Sequence, residues 1–132
     1  MNQRNQFIND FRGSALGTIN LDSTDIERFQ NQTLRPILKL QNELLLAVFS
    51  NYINQSKTLF NDFSTDKKAS FIENSIQKDT KLRNTFQGIL IGLFTNVEYA
   101  IYIENPSDLN KRMMNMLIER LKSQLQVFDI PR

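Results

Sequence analysis

The chain contains no cysteine and no histidine. Without cysteine there is no disulfide framework and no thiolate chemistry. Without histidine, the usual acid–base group near neutral pH and the commonest transition-metal ligand are both missing. Glycine and proline are scarce, at four and three residues. There is no Gly-rich phosphate loop, no carboxylate pattern of a calcium loop, and no Glu-x-x-His pattern of a di-iron bundle. These absences lead us to expect no cofactor and no metal. No stretch alternates apolar and polar residues, so no sheet is expected. The longest mostly apolar window, Phe86 to Ile103, contains Gln87, Asn96 and Glu98. A membrane span needs roughly 20 predominantly apolar residues, so none is expected. The opening MNQRNQFINDFRG has no apolar core of a secretory signal, which makes the cytoplasm the expected location.

Charge is nearly balanced, with 16 basic and 14 acidic residues and a net charge of +2. That balance permits contact with nucleic acid without requiring it. Asn and Gln are abundant, which reads as coding bias more than as chemistry. A chain of 132 residues suits one domain that folds without staples.

What is present is helical periodicity. Leu34 to Ile53 is the most apolar stretch. Leu34, Leu38, Leu45, Val48 and Tyr52 recur at helical spacing, and Leu44 to Phe49 are apolar around the whole circumference. A helix of that kind is usually enclosed by others. Pro36 suits a first helical turn, so Thr24 to Leu34 is either a separate short helix or the first arm of a kinked one. Thr24 with Glu27, and Thr95 with Glu98, have capping-box spacing. Leu59, Phe60 and Phe63 read as anchors in an irregular turn. Ser64 to Lys81 forms the next helix, and either runs on into Leu82 to Phe94 or breaks near Asp79. Gly88 and Gly92 share a side and suggest a close helix crossing. Asn105 and Pro106 start a last helix reaching Phe128, with Leu109, Met113, Leu117, Leu121 and Leu125 on one stripe. The expected fold is all-α: a single-domain bundle of about five or six helices around a buried central helix, 34–53. Residues 1–23 form an N-terminal arm, loosely ordered or docking, and 24–132 the domain. In the arm, Phe7, Ile8 and Phe11 could form one docking turn.

Two groups of side chains could carry chemistry. Lys111, Arg112, Asn115, Arg120 and Lys122 on the last helix form a candidate face for an anion or a partner. Asp79, Arg83, Glu98, Tyr99 and Glu119 form a candidate polar network. Within it, a tyrosine beside a carboxylate transfers protons only with a tuned pKa and a pocket. For each group the plain alternative is an ordinary charged helix surface. Burial decides whether Arg35, Asn42, Asp79, Arg83, Arg112, Asn115 and Glu119 form a network.

At Thr33–Lys39, at Gly92–Thr95 through Glu98–Tyr99, and at Leu109–Met116, the chain resembles a group of small uncharacterised bacterial all-helical proteins. The resemblance covers roughly residues 24 to 128. Some of that group carry the label "glyoxalase". The resemblance implies a helical protein but transfers no catalytic residue, because known glyoxalase chemistries use histidine-containing metal sites or a cysteine. The expected function is a non-enzymatic intracellular protein-interaction or scaffold module, possibly homodimeric, whose partner is itself or another protein. The alternative is nucleic-acid or phosphorylated-ligand binding through the basic face of the last helix. A third reading is an enzyme with a carboxylate–Arg–Tyr site.

Overall fold

A computed structural model describes residues 2–12 and 24–129. Among them the chain is all helical and contains no strand. The α-helical segments are α1 (Gln3–Arg12), α2 (Asp25–Phe29), α3 (Arg35–Leu40), α4 (Asn42–Gln55), α5 (Thr65–Lys78), α6 (Thr80–Ile91), α7 (Asn96–Tyr102) and α8 (Pro106–Lys122). A π-helical turn, Gln30–Leu34, joins α2 to α3 without a break, so 25–40 is one helix. No helix of the described residues is long and apolar enough to cross a membrane.

The π turn follows from Pro36. A proline inside an α-helix lacks its N–H, and its ring strikes the carbonyl four residues back. Here Arg35 N–H bonds to Gln30 O, five residues back, and the wider turn makes room for the ring. The helix continues through the proline and bends at Gln41 (φ −88, ψ 4). The central helix expected at 34–53 is therefore two segments, the first belonging with residues 25–34. Nor is it enclosed all round. Leu45, Leu46, Phe49 and Ile53 are buried, but Leu44 is 48% exposed.

The helix that other helices surround is α8, which packs on α5, on α6 and on the π turn. Its buried side chains are Leu109, Met113, Met114, Leu117, Ile118 and Leu121. It stops at Lys122, short of the expected Phe128, and a 3₁₀ turn, Leu125–Asp129, follows. That turn brings Phe128 against Phe49 and Phe60, with ring centroids 5.6 and 6.0 Å apart. Of the three expected anchors before α5, Phe60 is buried and Phe63 half-buried, but Leu59 is exposed.

Local capping sets the remaining boundaries. Ser64 accepts from Lys67 N–H and starts α5. Asp79 leaves helical geometry, accepts from Leu82 N–H and starts α6, so the helix breaks there. Thr95 and Glu98 form the full reciprocal capping box of α7. The expected close crossing at the glycines does not form: a Cβ on Gly88 would meet nothing within 4 Å.

In the arm, α1 lies against the body. Ile8 and Asn5 are buried. Arg4 donates to Gly92 O (2.8 Å), and Asn5 Oδ1 accepts from Asn96 N–H (3.2 Å). Phe7 and Phe11 stack on each other, 5.4 Å between centroids, and stay mostly exposed.

Candidate functional site

Two places collect polar side chains from several elements. The first is an open groove of about 890 Å³ between the 25–40 helix and α8. Along α8, residues 108, 112, 115, 116, 119 and 120 recur at helical spacing, so one face of the helix forms one wall. The facing wall carries Gln30, Arg35 and Leu38. Lys111, Arg112, Asn115 and Arg120 of the expected anion face all line this groove. Lys122 does not. It reaches α5 and forms an ion pair with Glu73 (2.9 Å), whose hydrogen bond holds the ammonium pKa above its ordinary value.

The partners of the three arginines define the electrostatics. Arg112 donates to Gln30 Oε1 (2.8 Å), Arg35 to Asn31 Oδ1 (2.8 Å), and Arg120 to Asn42 Oδ1 (3.3 Å). Gln124 also exchanges hydrogen bonds with Asn42, at 2.8 and 2.9 Å. Each guanidinium is thus oriented by a neutral amide, and none has an ion pair to a carboxylate of the described residues. Burial pulls the pKa of Arg120 downward, yet an arginine stays charged in proteins. The groove's two acids have other partners. Glu119 lies 3.7 Å from Lys122 Nζ, and Asp108, in the first turn of α8, accepts from Asn105 Nδ2 (3.4 Å).

The second place is Glu98. Its two oxygens accept from Arg12 at 2.5 and 2.6 Å, from Thr95 N–H at 2.8 Å and from the Thr33 hydroxyl at 2.8 Å. Arg12 also donates to Leu93 O (3.0 Å). Burial alone would raise the carboxyl pKa, but the bonds from Arg12, Thr95 and Thr33 outweigh it and hold Glu98 below its ordinary value. With both oxygens occupied, this carboxylate fastens α1 to α7 and to the π turn.

The candidate polar network does not converge on one pocket. Asp79 accepts from Leu82 N–H and from the Tyr52 hydroxyl (3.1 Å). The Leu82 bond is the main reason its carboxyl sits below the usual range, while burial pushes the Tyr52 phenol up. Arg83 donates to the carbonyls of Ile76 and Gln77 at the end of α5. Tyr99 is half exposed with its ring against Tyr102, and Glu119 faces the groove. Among the described residues, the carboxylates, arginines and tyrosine named in the enzyme reading therefore do not share one cleft. Among the described residues, no cluster of three or more carboxylates could hold a metal ion.

Sequence reasoning named Arg35 and Asn42 only as polar groups awaiting a burial test, and missed Gln30 and Gln124 as groove residues. The contacts of Gln30, Asn42 and Gln124 cross 78 or more residues, which leave no local signal. A separate surface is left apolar on α7 and at the residue that caps it, where Val97, Tyr99, Ile101 and Ile103 are 46–68% exposed. Val97 and Ile101 line a second cleft with Ile26, Phe29 and Leu109. Comparison with protein-family models, with curated proteins and with solved structures finds no match.

Proposed function

We propose that the protein is a cytoplasmic, non-enzymatic binding module that holds a phosphorylated or similarly anionic ligand in the groove between the 25–40 helix and α8. The observation that carries this reading is the set of three guanidiniums, Arg35, Arg112 and Arg120, aligned by neutral amides instead of carboxylates. A guanidinium held in place with its charge uncompensated is suited to an oxyanion, which it meets through parallel charge-assisted hydrogen bonds. Titration of the full chain with tripolyphosphate at low salt tests it. Arg112→Gln and Arg120→Gln should each weaken binding by about tenfold or more, since one hydrogen bond to a charged group contributes about 1.5–3 kcal/mol. Both variants should keep nearly wild-type thermal unfolding, because each removes only one bond to a partly buried neutral amide. Absence of binding, or binding indifferent to both substitutions, would overturn the reading.

A second reading, self-association, rests on α7. A helix with apolar groups on most sides is normally covered, yet Val97, Tyr99 and Ile101 of α7, and Ile103 just after it, are about half exposed or more. The same chain presents a matching knob, the exposed Phe7–Phe11 stack. A second copy could seat that pair in the cleft beside Val97 and Ile101. Equilibrium sedimentation at tens of micromolar, on the order of weak-interface affinities, should then show dimer that Ile101→Lys abolishes. Monomer alone would sink this reading and leave the groove untouched.

A further inference from the structure

The groove has a length and a lining that say more about its ligand, on the reading that it binds anions at all. Gln30 meets Arg112 and Asn42 meets Arg120, so the stretch from 30 to 42 runs beside α8 in the same direction. Arg112 and Arg120 are eight residues apart on one helix, which places their backbones about 12 Å apart along its axis. Arg35 stands on the facing wall, between the two meeting points in chain order. The cations are therefore strung along the groove instead of gathered around one point. A single phosphate would meet one guanidinium and leave the others unused.

The lining also lacks something. Among the described residues no aromatic side chain contributes to it, and the large apolar members are Leu38 and Met116. Proteins that hold single-stranded nucleic acid combine a basic track with aromatic rings on which bases stack. Here the track is basic on balance, with Arg35, Lys111, Arg112 and Arg120 against the carboxylates of Asp108 and Glu119, and among the described residues no ring accompanies it. The donors are guanidiniums, an ammonium and amides, all suited to oxyanions and none arranged to grip a flat base.

We infer that the groove takes a linear chain of phosphates, extended along α8 and recognised by its charge alone, without bases. Successive phosphates engage Arg112, then Arg35, then Arg120, with Lys111 and Asn115 at the rim. Each guanidinium exchanges its bond to Gln30, Asn31 or Asn42 for one to an oxyanion. Exchanging a neutral acceptor for a charged one strengthens each contact.

The experiment compares orthophosphate, tripolyphosphate, long-chain polyphosphate and a single-stranded DNA oligomer of similar charge, each titrated into the full chain. Affinity should rise steeply with phosphate-chain length, by roughly tenfold or more from the triphosphate to the long chain, and fall with added salt as several charges are neutralised. It should be no tighter for DNA than for polyphosphate. Arg120→Gln should remove most of the gain from length, lowering affinity for the long chain by clearly more than the roughly tenfold it costs the tripolyphosphate. Arg120→Lys, which keeps a cation at that end, should restore part of the gain. Equal affinity for short and long phosphates would overturn the inference while leaving anion binding standing. Clearly tighter binding of DNA would overturn it in favour of base recognition. No binding of any probe would overturn both readings.

Discussion

Glu98 loses much of its water in the folded chain, and desolvation alone would push its carboxyl toward the neutral form. Arg12, Thr95 and Thr33 reverse that outcome, and the folded carboxyl titrates below its ordinary value. A carboxylate whose folded pKa is depressed contributes stability above its unfolded pKa and loses it as pH falls through the folded value. The contribution of Glu98 is therefore complete near neutral pH and begins to fade below about pH 4.3, the ordinary glutamate value. Glu98→Gln keeps the shape but strands Arg12, whose side chain is only 7% exposed. Removing one partner of a buried pair costs about 3–5 kcal/mol, and urea unfolding near neutral pH should show a loss of that order. The gap between variant and wild type should close in acid, where the wild-type carboxyl is protonated too. A gap of equal size in acid would show that the charge of Glu98 is not what holds the contact.

At the scale of elements, features set by neighbouring residues were legible and features set by distant ones were not. The capping box of α7 was readable because Thr95 and Glu98 lie within one turn, and the break at Asp79 was one of the two courses left open there, settled by its bond from Leu82 N–H. That the same Glu98 also receives Arg12 was invisible, since the two are 86 residues apart. The basic face of α8 was readable from helical spacing for Arg112, Asn115 and Arg120. Lys122 was misplaced because two residues turn a helix by roughly 200°, which carries its side chain out of the groove and onto Glu73. The facing wall, with Gln30 and Arg35, depends on how two helices pass each other, and single-helix periodicity holds no such information. Pro36 was expected in a first helical turn, with 24–34 either a separate short helix or the first arm of a kinked one, and the joined arm is nearer to what the π turn makes. Whether it would end a helix or widen one depended on the packing around the 25–40 helix. Gly88 shows the converse error, a spacing that suggested close packing where the helix simply faces solvent. The abundant amides, which looked like coding bias, turn out to position the groove's arginines.

Across the whole molecule, the π turn is the one element that serves both polar places. Gln30 and Asn31 hold arginines of the groove, and Thr33, two residues on, holds Glu98 and through it α1. A ligand that draws Arg112 and Arg35 from their amides acts on the same five residues that Glu98 steadies from the other side. Binding free energies at two sites that share an element are linked reciprocally. Glu98→Gln should therefore weaken polyphosphate binding several-fold, by less than Arg112→Gln does, although Glu98 is not part of the groove's lining. The reciprocal effect belongs to the wild-type chain, where saturating polyphosphate should slow amide hydrogen exchange in Gln3–Arg12. Exchange is the suitable observable because it reports local opening element by element, from free energies near zero up to that of global unfolding. Simple mass action complicates the comparison, since any ligand of the native state stabilises it, by about 2.7 kcal/mol at a hundredfold excess over Kd. That term slows exchange wherever amides open only by global unfolding, as expected of the buried stretches of α8. With only Asn5 and Ile8 buried, α1 is expected to open locally, so added protection there requires a path from the groove to Glu98. If polyphosphate protects α8 and leaves α1 unchanged, the two faces of the π turn are energetically separate and α1 is fastened independently of the ligand.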